Sequence, residues 1–243
     1  MWLEAPVEET DEQGNKRRST RNRDEGRGTP QGAPISPMLS NLYMRRFVLG
    51  WKKLGHEKRL EAHIVNYADD LVICCRSRAE DALATMRDIM AKLKLTVNET
   101  KTRVCKLPEE KFDFLGYTFG RCYSPQTGRA YLGTVPSKKR VLRICEAISA
   151  ETGRNKTLLD QAAVVTKLNR MMNGWANYFC LGPVSKAYRA VNRHARKRLR
   201  QWLCAKHDVT WPATKQFPET ALHDVMGLVR LLERTSSFPW AKP

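Results

Sequence analysis

The spacing of apolar residues predicts helices in two early segments of the chain. Positions 79, 82, 83, 86, 89, 90 and 93 are apolar and fall on one face of a helix with 3.6 residues per turn. Positions 38, 39, 42, 43, 47 and 48 have a similar period and follow Ser36 and Pro37, a favourable N-cap and N1 pair. Each segment is therefore predicted to form an amphipathic helix, the earlier one beginning near Ser36.

Other segments have the composition of β-strands. The stretch HIVNYADDLVICC (63–75) is rich in β-branched and aromatic residues on both sides of two aspartates, so we predict a hairpin with Asp69 and Asp70 at its turn. Residues 96–107 and 111–123 are predicted strands as well. This order of strands and helices predicts an α+β domain, an antiparallel sheet with packed helices.

From about Ser137 the pattern is helical throughout, and residues 183–206 carry two opposed stripes. Apolar residues stand at 184, 188, 191, 195, 199 and 202, and basic residues at 186, 189, 193, 196 and 200. An offset of two residues is about 200° around a helix, so one face packs and the other presents cations. A solvated surface is the alternative interpretation, but residues 161–207 contain no acidic partner. That absence favours contact with nucleic acid.

The overall charge points the same way. The 243 residues carry 43 Lys and Arg against 25 Asp and Glu, a net charge of +18. Residues 136–207 contain 16 of the basic residues and only 3 of the acidic ones. A basic excess concentrated in one part of the chain is typical of a protein that binds a polyanion such as RNA.

The remaining composition narrows the class of protein. No segment has the length of a membrane span, and the first residues lack the pattern of a signal peptide, which predicts a soluble, cytoplasmic protein. The seven cysteines form no C-x-x-C pair, so free thiols are expected rather than a zinc site.

The two adjacent aspartates are unusual inside an apolar run. Burying unpaired carboxylates is unfavourable and neighbouring ones repel each other, so we expect a cation opposite Asp69 and Asp70. Carboxylates held at a rigid turn suit Mg²⁺, and two such ions serve in-line phosphoryl transfer.

Several motifs, in order, resemble those of one family. YADD resembles the catalytic signature of reverse transcriptases, and PQGAPISPMLSNLY, LKLTVNETKT and FDFLGYTF resemble blocks of the group II intron branch. LNRMMNGWANYFCLG and the basic helix resemble the thumb, or maturase X domain, of group II intron proteins. The chain thus resembles the C-terminal portion of a group II intron reverse transcriptase/maturase, over roughly residues 28–205.

The resemblance implies an architecture of a partial polymerase palm followed by an α-helical thumb. The expected divisions are a polar loop or hairpin at 1–29, the partial palm at 30–134, the thumb/maturase domain at 135–207 and a tail at 208–243. In the thumb, Trp175, Tyr178 and Phe179 are expected in the core, and His194 is expected to contact phosphate weakly.

The resemblance also implies roles for individual residues. Catalysis and metal binding would fall to Asp69 and Asp70, with two Mg²⁺ ions as cofactors. The remaining sets are the nucleotide and template pocket (Tyr67, Ala68, Pro30, Gln31, Gly32, Lys101), the primer grip (Phe114, Leu115, Gly116) and the RNA-binding face (Lys186, Arg189, Arg193, Arg196, Lys197, Arg200). The implied partners are intron and template RNA, a DNA primer and dNTPs, with no membrane.

The same resemblance exposes a gap. The family's catalytic site needs a third aspartate on a strand well upstream of PQG, whereas Asp11 and Asp24 stand in polar loop contexts. RNA-directed DNA polymerase is the implied activity, but the chain is expected to be inactive alone and to need an N-terminal fragment in trans. The alternatives are a non-catalytic RNA-binding splicing factor and a truncated remnant.

Overall fold

The computed structural model describes residues 7–10, 16–19, 34–124, 126–209 and 213–237, and it confirms the predicted α+β fold. The chain divides into two units, Met1–Val104 and Cys105–Pro243. Among the described helices, none combines the length and the apolar character needed to cross a membrane.

The described residues of the first unit form two hairpins and three helices. Its elements are β1 (Val7–Thr10), β2 (Lys16–Ser19), α1 (Ser36–Lys53), α2 (His56–Arg59), β3 (Ala62–Tyr67), β4 (Asp70–Cys75) and α3 (Ala79–Lys92). β1 pairs with β2 and β3 pairs with β4, both antiparallel, as two separate two-stranded sheets. The predicted helices and the hairpin around YADD are confirmed.

The core of this unit lies between α1, α3 and one face of the β3–β4 hairpin. Phe47 and Trp51 of α1 are fully buried, and Met86 and Ile89 of α3 pack in the same cluster. The Trp51 indole Nε1 donates to the Ala62 carbonyl at 3.0 Å, so the helix is tied to the first residue of β3. The amphipathic spacing therefore predicted the buried face of α3. In α1 it predicted the buried Phe47 but not Met44 and Trp51, and the predicted positions Met38, Leu42 and Tyr43 are exposed.

The strand predicted at 96–107 is absent from the described structure. Asn98 closes a turn there instead: its carbonyl accepts from the backbone N–H groups of Lys101 and Thr102 at 3.1 and 3.0 Å. Its side-chain Oδ1 accepts from the Thr100 hydroxyl at 2.7 Å. Asparagine competes with strand pairing through such local bonds, and this turn chemistry outweighs the β-branched residues on either side.

The second unit joins a three-stranded sheet to a group of helices. Its strands are β5 (Phe112–Phe114), β6 (Tyr117–Tyr123) and β7 (Ala130–Pro136), antiparallel in the order β5–β6–β7. Its helices are α4 (Lys138–Glu151), α5 (Gln161–Tyr178), α6 (Ser185–Lys206) and α7 (Ala213–Gln216), with shorter helical turns at Arg154–Lys156, Ala221–Val225 and Leu231–Ser237.

The apolar stripe predicted on residues 183–206 is the centre of this unit. Its six residues are each at most 1% exposed: Val184, Tyr188, Val191, Ala195, Leu199 and Trp202. They pack against Ile148 of α4, Leu168 and Met172 of α5, and C-terminal leucines. Burial raises the pKa of Tyr188 to about 12, and its hydroxyl lies 3.1 Å from the carbonyl oxygens of Ala176 and Phe179.

The structural division differs from the domain boundary predicted at 134/135. The sheet β5–β7 packs with the helices, because β7 runs directly into α4 through the buried cap Ser137. Gly182, with φ of +74°, presses against β7 so closely that a Cβ there would overlap the Thr134 carbonyl. The sheet that was predicted as part of the palm therefore lies in the second unit together with the helices. The division of palm and thumb by function stays a prediction.

We predict that Gly182→Ala destabilises the second unit by at least about 2 kcal/mol. The substitution forces an alanine into the left-handed region, which costs roughly 1–2 kcal/mol, and adds a clash with backbone that cannot rotate away. Denaturant unfolding would measure the loss.

Gly174→Ala is the matched control. Gly174 lies within α5, and a Cβ there meets nothing within 4 Å. Alanine should therefore stabilise that helix by about 0.5–1 kcal/mol. Equal effects of the two substitutions would contradict close packing of Gly182 on β7.

Candidate functional site

The YADD motif forms the tight turn of the β3–β4 hairpin. Tyr67 ends β3 and pairs with Asp70, the first residue of β4, so that Ala68 and Asp69 make the connection. Ala68 has φ of +53°, a left-handed conformation that costs an alanine roughly 1–2 kcal/mol. The flanking strands hold this strained turn in place, as is common where backbone geometry serves a site.

The expectation that these aspartates are buried is wrong for this chain. Asp69 and Asp70 are both exposed, as are Tyr67 and Ala68. Only one face of the hairpin packs on the core, through residues such as Ile64 and Ile73. Because the turn projects beyond that core, the two carboxylates keep their water, and no desolvation cost arises from them within this unit.

The chemistry of the turn fits part of a Mg²⁺ site. The carboxylates of Asp69 and Asp70 have no hydrogen bond or ion pair within the described part of the chain, so their oxygens can act as ligands. Mg²⁺ is commonly held by one or two carboxylates, with water and substrate phosphates completing the shell. Among the described residues, however, no group of three or more His, Cys, Asp and Glu side chains could hold a metal.

The other residues predicted for nucleotide and template are only partly described. Lys101 lies at the turn that follows Asn98, with an exposed side chain. Pro30, Gln31 and Gly32 lie outside the described residues, and so do Asp11 and Asp24. The roles of these residues therefore stay predictions.

The predicted primer grip is the two-residue turn between β5 and β6. Phe114 pairs with Tyr117, and Leu115 and Gly116 have φ of +51° and +83°, the signs of a tight type I′ hairpin turn. The backbone N–H of Ser137 donates to the Gly116 carbonyl at 2.9 Å. This turn lies in the second unit, whereas Asp69 and Asp70 lie in the first.

Two tyrosines hold that turn to the end of α5. The Tyr178 hydroxyl donates to the Leu115 carbonyl at 3.0 Å, and the Tyr117 hydroxyl donates to the Tyr178 carbonyl at 2.5 Å. Burial raises the pKa of Tyr117, so its hydroxyl stays a donor. Sequence reasoning missed both roles, since each partner lies more than 60 residues away; the only local signal was a tyrosine in each of the motifs FLGY and NYF.

The aromatic residues of the thumb segment are not uniformly buried. Phe179 is in the core, Trp175 is half-buried, and Tyr178 is 54% exposed although its hydroxyl is engaged. The prediction of a core position is therefore confirmed for Phe179, confirmed in part for Trp175 and wrong for Tyr178.

The basic stripe of α6 has two different environments. Lys186, Arg189, Arg193 and Lys197 are exposed. Arg196 forms an ion pair with Glu219, and Arg200 Nε donates to the Phe217 carbonyl at 2.8 Å. Two of the six residues predicted to bind RNA are therefore in contact with the C-terminal segment.

His194 faces α4 rather than the exposed part of the stripe. Its Nε2 lies 2.8 Å from the Ser149 hydroxyl, a partner 45 residues away. Burial lowers the pKa of His194, and the charges of Arg198 and Lys197 lower it further. A weakly basic imidazole turned toward a neighbouring helix does not suit the phosphate contact expected from sequence.

Comparison with known families accounts for both units. Residues 2–119 match the model of the reverse transcriptase (RNA-dependent DNA polymerase) family, and residues 141–217 match that of the group II intron, maturase-specific domain. Together the two matches support a group II intron reverse transcriptase/maturase. The reverse transcriptase match contains the YADD and FLGY turns, and the maturase match contains α5 and α6. No curated protein matches the chain significantly.

We predict that His194→Gln weakens the acid sensitivity of the maturase domain. Because folding lowers the pKa of His194 below its usual 6.5, the unfolded state takes up a proton first as the pH falls through that value. The wild type therefore loses stability from this group below about pH 6.5, and neutral glutamine does not. Thermal unfolding between about pH 7.5 and pH 5 would show a smaller fall in Tm for the variant.

His207→Gln serves as the control, since His207 is exposed at the end of α6. A pH dependence identical in His194→Gln and the wild type would refute a contribution from His194.

Proposed function

We propose that the chain supplies the catalytic aspartate turn and the RNA-binding domain of an RNA-directed DNA polymerase/maturase. The observation that carries this proposal is the strained YADD turn, which presents two carboxylates without a partner in the described structure. The family matches support the same reaction, extension of a DNA primer on an RNA template. A cytoplasmic location is part of the proposal.

In this mechanism, Asp69 and Asp70 would hold the metal. When bound, two Mg²⁺ ions supply charge stabilisation for the attacking and leaving oxygens of the displacement. Ala68 keeps the turn tight, and Tyr67 would lie beside the primer end. The exposed ammonium of Lys101 suits the charge of the dNTP phosphates.

Positioning of the nucleic acids falls to the remaining predicted residues. Phe114, Leu115 and Gly116 would hold the primer backbone, and Pro30, Gln31 and Gly32 would line the pocket for template and nucleotide. Support for the first role comes from the rigidity of the Leu115–Gly116 turn, which is fixed by hydrogen bonds from Tyr178 and Ser137. A fixed backbone turn can orient a primer terminus without reorganising.

A second candidate function is RNA binding without polymerisation, as in a splicing factor. The exposed residues Lys186, Arg189, Arg193 and Lys197 favour it, because they present positive charge independently of the YADD turn. Intron RNA would then be the main partner, and the YADD unit would serve as a structural support. Because both functions predict RNA binding, an assay of polymerisation is needed to distinguish them.

Primer extension on an RNA template with Mg²⁺ tests the proposal. The 243-residue protein alone is expected to be inactive, since a two-metal site short of a ligand loses several kcal/mol of transition-state stabilisation. Activity is expected when a separately produced N-terminal reverse transcriptase segment of the same family is added. Asp69→Asn/Asp70→Asn should abolish that activity.

The matched control is Asp81→Asn/Asp88→Asn, which removes two exposed carboxylates from α3. It should leave extension unchanged. If neither mixture extends the primer while RNA is still bound, the polymerase proposal fails and the splicing function is favoured. Extension by the 243-residue protein alone would instead overturn the need for an added segment.

A further inference from the structure

The basic residues of α6 look equivalent in the sequence, but their surroundings divide them. Lys186, Arg193 and Lys197 lie within about 40° of one another around the helix and span about 16 Å along it. All three are exposed, and none has a carboxylate partner in the part of the chain that the structure describes. Arg189 is exposed too, but its Nε donates to the Ser185 carbonyl at 3.3 Å, so it does not belong with them. We name Lys186, Arg193 and Lys197 the outer ridge.

Arg196 and Arg200 form a second set, which we name the flank. Arg196 is 24% exposed and is paired with Glu219, and Arg200 Nε donates to the Phe217 carbonyl at 2.8 Å. Nearby on the same helix, Asn192 Oδ1 accepts from the Leu231 backbone N–H at 3.3 Å. All three side chains thus reach toward residues 217–231.

That C-terminal segment is a structural part of the helical unit. Leu222, Leu228 and Leu231 belong to its core and are at most 3% exposed. Asn169 of α5 grips the segment twice, donating from Nδ2 to the Gly227 carbonyl at 2.7 Å and accepting from the Val229 N–H at 2.8 Å.

The same face of α5 continues this grip. Asn173 and Asn177 follow Asn169 at four-residue intervals, and both accept from the Arg234 guanidinium through their Oδ1 atoms, at 2.5 and 2.6 Å. The maturase-specific match ends at residue 217, so this docked segment extends beyond it.

Because of these environments, the two sets differ in what they must give up to bind an RNA phosphate. An outer-ridge cation can reach a phosphate by exchanging only water and counterions. A flank arginine would first have to leave a carboxylate or a carbonyl, and would leave that group without its partner. Periodicity alone cannot make this distinction, because all six residues predicted to bind RNA fall on one broad stripe.

We propose that the outer ridge contacts the RNA backbone and that the flank holds the C-terminal segment instead of RNA. The proposal rests on the RNA-binding function proposed above and assigns that function to a subset of the residues. It also assigns residues 218–237 to the RNA-binding domain, as part of the segment that the flank residues contact.

Two double substitutions with the same charge change test this assignment. Lys186→Gln/Arg193→Gln and Arg196→Gln/Arg200→Gln each remove two positive charges from α6, so a general electrostatic effect would be equal. Binding of a fluorescein-labelled RNA hairpin would be followed by anisotropy between about 50 and 200 mM KCl. Thermal unfolding of each protein would be measured alongside.

The outer-ridge variant should bind RNA about tenfold or more weakly at low salt. The slope of log K against log salt should fall by about 1.4–1.8, the value for two lost phosphate contacts, with Tm unchanged. The flank variant should keep most of the slope but unfold at a Tm lower by about 2–4 °C. Equal losses of affinity and slope in the two variants, with unchanged Tm, would overturn the proposal.

Glu219→Gln provides a test if the flank variant does not fold. It weakens the same ion pair without removing a positive charge from α6, so it should lower Tm and leave RNA affinity undiminished. Weaker RNA binding by Glu219→Gln at unchanged Tm would contradict the assignment. Failure of the wild type to bind RNA would instead refute the proposed function, while the Tm values would still test the flank.

Discussion

The reciprocal contact between Tyr117 and Tyr178 determines how the second unit is built. Each hydroxyl donates to a backbone carbonyl of the other's segment, Tyr117 to Tyr178 and Tyr178 to Leu115. The turn that resembles a primer grip is thereby fixed to the end of α5, inside the helical unit. The sheet β5–β7 cannot move independently of the maturase helices while these bonds persist. Displacement of these helices would therefore carry that turn with it.

The YADD turn is constrained by different means. Two short strands hold it, and Ala68 bears the strain of the turn. One face of the hairpin packs on a helical core, and the aspartates are exposed to water. Strain of this kind persists only where flanking structure over-determines the backbone, and the strand register on either side of the turn supplies that here. The aspartates are thus positioned by the backbone, and their carboxylates remain available to a metal and a substrate.

Local patterns predicted much of this fold, and long-range contacts account for the errors. The apolar face of α6 follows from helical periodicity, so its six buried positions were predictable. The side-chain turn at Asn98 overrode an apparent strand. The exposure of Asp69 and Asp70 depends on what lies beside the hairpin, which apolar flanks do not reveal. The inward position of His194 depends on Ser149, 45 residues away.

The basic helix shows why charge patterns alone do not define an RNA surface. Arg198 belongs to the same run, yet its guanidinium donates to the carbonyls of Ser149 and Thr152 at the end of α4, where cations stabilise exposed carbonyl groups. Arg196 is neutralised by Glu219, which lies outside the segment that lacks acids. Neighbouring arginines on one helix can therefore cap a second helix, hold a distant segment or face solvent. Only those that face solvent can exchange counterions for phosphates without disturbing the fold.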